Sequence, residues 1–332
     1  MPTPPSIADI ARHLGIAPST VSKVLGPHAE RYRIADETRQ RILACARDLG
    51  YAPDLRNRAR AARRTGMVGV LYATASPTTH EVFERFGDHA AEHLRRHGYQ
   101  PCYLPAGTWD EVRQRLAEHR VDGCLMLPPI PPRVADTRLP AAMPLVLVNA
   151  LTDLPVPQVL TDDAQGVGLL VDHLAGLGHR RIAYADLPSR PFGHYSEAWR
   201  RRGYQEGVAR LGLTRQEFLG TAEDLLGLLT ESACTAAITY NYQLALALSH
   251  LVRRQGIPVP GRFSVACASD TAYGALIDPP WTAVTIPLER MVARAVEELV
   301  ALMEGRTALG HREIVIPQSI AVRGSTGPVP GG

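Results

Sequence analysis

Residues 6–26, SIADIARHLGIAPSTVSKVLG, constrain this chain more than any other stretch. They read as two short helices joined at Leu14-Gly15-Ile16. Ser6 is placed to cap the first helix, with Asp9 as the acid of a capping box. Ile7, Ile10, Ala11 and Leu14 recur at i, i+3, i+4, i+7 and form one buried stripe. Gly15 supplies the left-handed residue that ends the helix. Pro18 suits the first turn of the next helix, where its missing N–H costs nothing. Val21, Val24 and Leu25 then face inward, which leaves Ser19, Thr20, Ser22 and Lys23 outside. A rigidly held helix with a short, polar, basic face is what the DNA major groove accepts. The pattern is a helix-turn-helix, and an amphipathic helix pair that only builds a core is the plainer alternative.

A third helix is expected from Asp36, as N-cap, to Leu49, stopped by Gly50. Ile42, Cys45, Ala46 and Leu49 would close a three-helix core. The long loop before it, Pro27 to Ala35, contains Arg31 and Arg33, and residues 55–66 carry arginines at 56, 58, 60, 63 and 64. Residues 1–66 hold 12 basic and six acidic side chains, whereas the whole chain holds 36 and 33. A basic head therefore sits on a mildly acidic body, and the head is the part suited to phosphates.

A length of 332 residues implies two or three domains. The start, MPTPPSIADI, has no basic region followed by an apolar run, and no segment is apolar enough to span a bilayer. Cysteines 45, 102, 124, 234 and 267 are scattered without a CxxC. These features imply a cytoplasmic chain with reduced, mostly buried thiols.

After Gly66 short apolar runs alternate with helical stretches. Strands are expected at Val68–Tyr72, Cys124–Leu127, Leu145–Val148, Arg181–Tyr184, Ala237–Thr239 and Ser264–Ala268. Helices are expected at Glu81–Arg96, Val167–Leu177, Glu197–Leu211, Gln243–Arg254 and Leu288–Glu304. This alternation implies α/β architecture, with parallel sheets flanked by helices and a ligand cleft at the carboxyl ends of the strands.

The chain resembles the LacI/GalR family of bacterial transcriptional regulators over nearly its whole length. The matching residues are Ala11, Gly15 and Thr20-Val21-Ser22-Lys23-Val24-Leu25; Glu37-Thr38-Arg39; Leu49-Gly50-Tyr51-Ala52-Pro53; Val121-Asp122-Gly123; His173-Leu174 with Leu177-Gly178-His179-Arg180-Arg181-Ile182-Ala183; Gly203-Tyr204; Asn241; and Val322-Arg323-Gly324-Ser325-Thr326. The resemblance implies a small all-α headpiece (1–52), a hinge (53–66) and an α/β core (67–332) of two lobes, like that of periplasmic binding proteins. Lobe 1 would comprise roughly 67–161 and 288–317, and lobe 2 roughly 162–287 and 318–326. It also implies a homodimer on a palindromic operator in double-stranded DNA. A small molecule between the lobes would shift the population between states of different DNA affinity, in most of the family to relieve repression. The absence of leucine heptads after Thr326 implies no tetramerising helix.

By the same resemblance, Pro18, Ser19 and Lys23 occupy base-reading positions. Pro18 offers no side-chain hydrogen bond, so Lys23 is the natural reader of guanine O6 and N7; a phosphate contact is its alternative. Ser6, Thr20, Ser22, Arg33, Tyr51, Asn57, Arg58 and Arg60 complete the expected DNA-binding set. Arg60 replaces a leucine that the family wedges into the minor groove, which implies groove insertion by charge and a smaller bend. The expected effector set is Tyr72, His80, Asn149, Phe192, Arg200, Asn241, Tyr242, Ser269, Asp270 and Trp281. Arg200 matches the arginine that grips effectors, but Asn149, Tyr242 and Ser269 replace family acids. Carboxylates grip sugar hydroxyls in pairs, so their loss weighs against a simple hexose, and Arg200 with few opposing acids would accept an anion; the expected effector is a carbohydrate or an anionic metabolite.

No motif points to catalysis, a metal or a cofactor. His89, His93 and His97 stack on one helix face, read as exposed rather than metal-binding. A ligand-independent architectural DNA binder and a solute-binding protein remain as alternatives. The second leaves residues 6–66 unexplained.

Overall fold

A computed structural model describes residues 5–26, 29, 32–51, 65–73, 80–106, 108–118, 121–127, 143–186 and 194–329. Two compact units divide the chain, the first essentially residues 1–67 and the second the remainder.

In the first unit, α1 (Ile7–Leu14), α2 (Pro18–Val24) and α3 (Asp36–Asp48) enclose a small core. The capping box forms as expected. The Ser6 hydroxyl accepts from the Asp9 N–H at 3.3 Å, and the Asp9 carboxylate accepts from the Ser6 N–H at 2.8 Å. Gly15 ends α1 with φ +67°, and Pro18 opens α2. Ile10, Ala11, Val21, Val24, Ile42, Cys45 and Ala46 are buried together. Two expectations need correction. Asp36 is not the N-cap of α3: Ala35 holds that place with no side-chain bond, and Asp36 is the first helical residue. There Asp36 and Glu37 favour the helix through its dipole instead. Leu49 caps the helix in an exposed position, and Tyr51 packs on the core instead.

The second unit holds two six-stranded sheets. The first contains β1 (Met67–Ala73), β2 (Gln100–Ala106), β3 (Gly123–Leu127), β4 (Leu145–Val148), β5 (Pro157–Thr161) and β11 (Arg312–Ile316), in the order β11-β5-β4-β3-β1-β2. The second contains β6 (Arg181–Asp186), β7 (Thr214–Leu219), β8 (Ala236–Thr239), β9 (Ser264–Cys267), β10 (Thr282–Thr285) and β12 (Ser319–Ala321), in the order β12-β10-β9-β8-β6-β7. β1–β3, β3–β4, β4–β5, β5–β11, β6–β7, β6–β8, β8–β9 and β9–β10 pair in parallel, and β10–β12 pair antiparallel. The chain passes from one sheet to the other after Thr161, after Thr285 and after Ile316. Helices α4 (His80–Arg96), α5 (Trp109–Glu118) and α11 (Leu288–Met303) accompany the first sheet. The second is accompanied by α6 (Asp163–Gly176), α7 (Tyr195–Arg210), α8 (Ala222–Glu231), α9 (Tyr242–Arg254) and α10 (Ala272–Leu276). The histidine face of α4 is not wholly exposed. His93 is half-buried, with its Nε2 enclosed and unpartnered. All five cysteines are free thiols, four of them buried.

His179 fastens the chain's final stretch to the second sheet. Its imidazole is fully buried. Nδ1 lies 2.8 Å from the Thr235 hydroxyl, and Nε2 lies 3.0 Å from both Ser264 Oγ and the Gly327 carbonyl. A carbonyl only accepts, so Nε2 carries the proton and Nδ1 is unprotonated. Burial holds the His179 pKa below its ordinary 6.5, against the pull of the Gly327 carbonyl. Burial lowers His93 and His173 as well. The unfolded chain takes up protons near pH 6.5 that the folded chain refuses, so stability rises with pH across the window below that value. Asp9 and Asp224, whose pKa values are lowered from 3.8, act only in stronger acid. We expect a lower urea midpoint at about pH 5.5 than at about pH 7.5, with a shallower slope in His179→Gln. Equal midpoints in wild type would contradict it.

Candidate functional site

Two groups of side chains stand out, one in each unit. On the first, α2 presents Pro18, Ser19, Ser22 and Lys23 to solvent, with Thr20 half-buried. Val21 and Val24, on the opposite side of that helix, are held in the three-helix core. The polar face is therefore rigidly mounted, as groove reading demands. Arg33 is exposed in the loop before α3, and the exposed Ser6 sits at the cap of α1. Tyr51 is half-buried against the core. Asn57, Arg58 and Arg60 lie outside the described residues.

In the second unit, polar side chains join the two sheets through a closed ring of hydrogen bonds. Asn149 follows β4 with φ +56°, a left-handed conformation that asparagine tolerates better than most residues. Its Oδ1 accepts from the Tyr195 hydroxyl at 2.9 Å. The Tyr195 oxygen accepts from the Thr161 N–H at 3.1 Å, and the Thr161 hydroxyl donates to Asp163 Oδ2 at 2.6 Å. Asp163 Oδ1 accepts from Arg200 Nε at 2.6 Å, and Arg200 Nη1 donates to the Tyr240 carbonyl at 2.7 Å. The Tyr240 hydroxyl lies 2.8 Å from Ser196 Oγ, which lies 2.8 Å from His194 Nδ1. His194 Nδ1 also accepts from the Ser196 N–H at 3.3 Å, so its proton is on Nε2, which donates to the Asn149 carbonyl at 2.9 Å and closes the ring. Thr161 ends β5 of the first sheet and Asn149 follows β4. Asp163, Tyr195, Ser196 and Arg200 lie on helices that accompany the second sheet, His194 caps α7, and Tyr240 follows β8.

Local sequence explains the positions. Asp162 caps α6 by accepting from the Gln165 N–H at 3.0 Å, which leaves the next acid, Asp163, free to point inward. His194 caps α7 and thereby aims Tyr195 and Ser196 across the boundary. Arg200 is buried, and its guanidinium also lies over the Tyr240 ring. Burial alone would lower its pKa, but the Asp163 carboxylate outweighs that and holds it above the ordinary value. Burial also raises the Tyr195 phenol, which stays a neutral donor.

Asp163 corrects the expectation that Arg200 meets few acids. Two acids in succession at a helix start were visible, but not which of them faced inward. Thr161, Asp163, His194, Tyr195, Ser196 and Tyr240 are all members of the ring that sequence reasoning missed. Other expected effector residues are already engaged. Asn241 is buried as the cap of α9, accepting from the Leu244 N–H at 3.0 Å. Asp270 is held by Arg323 at 2.9 and 2.7 Å. Ser269 is half-buried, its carbonyl accepting from the Cys267 thiol at 3.2 Å. Trp281 is 2% exposed and packs with Ala245, Cys267 and Ala283, with Tyr242 against that cluster. Its indole N–H donates to Ser249 Oγ at 2.9 Å. Tyr72 is half-buried at the end of β1. Phe192 and the His80 side chain lie outside the described residues. A cavity of about 410 Å³ adjoins the ring at His194 and Tyr195, and it is lined by none of the expected effector residues.

A helix-turn-helix unit joined to a two-sheet ligand-binding fold defines a DNA-binding regulator with a sensor core. Residues 6–54 match the bacterial regulatory proteins of the lacI family, and residues 171–326 match the periplasmic binding protein-like domain. The chain is 32% identical to an uncharacterised HTH-type transcriptional regulator from the aml 5′ region of Streptomyces limosus, covering 100% of this chain and 97% of that one. It is also 32% identical to the HTH-type transcriptional regulator MalR of Streptomyces coelicolor, with 98% and 97% covered. The Lac repressor bound to ONPG superposes with a TM-score of 0.71 at 21% identity, covering 98% of this chain and 100% of that one, a likeness of fold. The chain belongs to the lacI family of bacterial regulatory proteins. It is a helix-turn-helix transcriptional regulator. Among the described residues no helix is long and apolar enough to cross a membrane.

Proposed function

We propose that this regulator is a cytoplasmic, homodimeric repressor that binds a palindromic operator and answers to a small molecule held between its two lobes, without catalysing a reaction. The ring through Asn149, Tyr195, Asp163 and Arg200 carries the reading. It is polar, largely buried and shared between the lobes, so a ligand entering there must replace the bonds that tie them. A ligand that binds one lobe arrangement better than another shifts the population between them. The ring also bears on ligand class. Arg200 is neutralised by Asp163, and Asp270 by Arg323, so neither presents an uncompensated charge. That favours an uncharged, polyhydroxylated ligand of the carbohydrate class over an anionic metabolite. The Lac repressor captured with ONPG has the same fold. Exposed Tyr273 and Leu276 on α10, at 62% and 83%, offer an apolar surface for a second copy.

On DNA, Lys23 is the base reader, with Ser19 beside it. Arg33, and the arginines of residues 55–66, add phosphate or minor-groove contacts. Lys23 is the chain's single lysine and lies on the exposed face of α2. The test is a pull-down of genomic fragments by the full-length protein, with and without a panel of neutral sugars. We expect a few palindromic sites to be retained and one sugar to release them. Lys23→Ala should cost about 1–3 kcal/mol of discrimination at one base position per half-site. Uniform retention of all fragments would instead mark an architectural binder.

A further inference from the structure

The loop between α2 and α3 reaches back to the recognition lysine. The Lys23 ammonium lies over the ring of Tyr32, 5.3 Å from its centroid. Tyr32 is itself 43% exposed, too open for a residue whose purpose is to fill the core. Its backbone is pinned all the same. The Tyr32 N–H donates to the Ala29 carbonyl at 3.3 Å, and Arg39 Nη2 on α3 donates to that same carbonyl at 3.2 Å. Arg39 is anchored in turn by its N–H to the Ala35 carbonyl at 3.0 Å, the first hydrogen bond of α3. A line of contacts thus runs from the third helix, through a loop carbonyl, to an aromatic face beneath the ammonium.

A lysine in the last turn of a recognition helix faces a particular difficulty. Its flexible stem leaves the charge free to wander among phosphates and base edges. An ammonium that wanders contributes affinity without sequence preference. A ring face attracts it through the aromatic quadrupole without consuming its three N–H donors as a carboxylate would. The stacked ammonium stays free to donate to two acceptors on a base edge.

We propose that Tyr32 is a positioning residue for base readout: its ring holds Lys23 over the position where it meets DNA, and so sharpens sequence preference at that one base pair. The proposal rests on Lys23 being the base reader.

The test compares full-length wild type with Lys23→Ala, Tyr32→Leu and Tyr32→Phe, each used to select from a random-sequence duplex library that is then sequenced. Lys23→Ala identifies the base position that depends on the lysine. Tyr32→Leu is expected to flatten preference at that same position by about two- to five-fold, the worth of an exposed cation–ring contact. Tyr32→Phe keeps the ring and should keep the preference. Thermal melting of each variant checks that the headpiece is folded, and Tyr32→Gln gives the same reading should the leucine variant melt early. The proposal is overturned if Tyr32→Leu leaves that position unchanged. It is equally overturned if Tyr32→Phe loses as much as Tyr32→Leu on all sequences alike, since that result assigns the phenol to a phosphate. If Lys23→Ala weakens all sequences equally, base reading by Lys23 itself is what fails.

Discussion

Replacing Arg200 with methionine is expected to cost about 3–5 kcal/mol of core stability, because it strands a buried carboxylate. Asp163 is 1% exposed, and its two oxygens accept from Arg200 and from the Thr161 hydroxyl. Without the guanidinium the carboxylate must ionise unpaired or take up a proton, and the Tyr240 carbonyl loses its donor as well. The loss should depend on the partner rather than on volume. Arg200→Met combined with Asp163→Leu removes both charges and should be less damaging than the two single losses added together. Urea unfolding followed by tryptophan fluorescence measures all of these, and Trp199 lies within the same cluster, 5.2 Å from the Tyr195 ring. Additive single losses would mean that the pair is not coupled. Ligand response provides a second readout. Tyr195→Phe removes the hydroxyl that donates to Asn149 and accepts from the buried Thr161 N–H, so it should alter the dependence of operator release on ligand concentration and also lower stability by about 1–3 kcal/mol.

The central strands were legible in the sequence and the edges were not. β1, β3, β4, β6, β8 and β9 are interior to their sheets, and each was found as an apolar run, β4 with its exact limits at Leu145 and Val148. Strands covered on both faces need continuous apolar sequence, which is why they show. The four edge strands, β2, β7, β11 and β12, escaped notice. β2 contains Pro101 and Pro105, which an edge tolerates and an interior does not. β7, TRQEFL, has four polar residues in six and buries none of them fully, so it shows no apolar run. β5 and β10, next to the edges, also passed unseen. The headpiece was almost wholly legible because capping box, glycine stop and N-terminal proline are local devices. The ring was not. Arg200 and Asp163 stand 37 residues apart, and no periodicity relates them. Family resemblance pointed to Arg200 and Asn149 as cleft residues but not to the side chains that already satisfy them.

Gly203→Ala tests the packing that carries the ring. Helices α6 and α7 cross so closely that a Cβ at Gly203 would lie 2.1 Å from the Ala164 carbonyl oxygen, with the Ala164 carbonyl carbon and Cα at 2.7 Å. All three are backbone atoms, which no rotamer change can move aside. The helices must separate, and such overpacking costs about 3 kcal/mol at the upper end of its usual range. The same substitution elsewhere has the opposite sign. Gly227 lies within α8 with nothing near its would-be Cβ, so Gly227→Ala should stabilise by up to about 1 kcal/mol through helix propensity alone. Both variants are read by urea midpoints on the full-length protein. A neutral Gly203→Ala would mean that α6 and α7 slide apart freely. Because Asp163 opens α6 and Arg200 lies on α7, a slide that broke their 2.6 Å contact could not be neutral, so a tolerated alanine at Gly203 should leave that contact and the response to ligand intact.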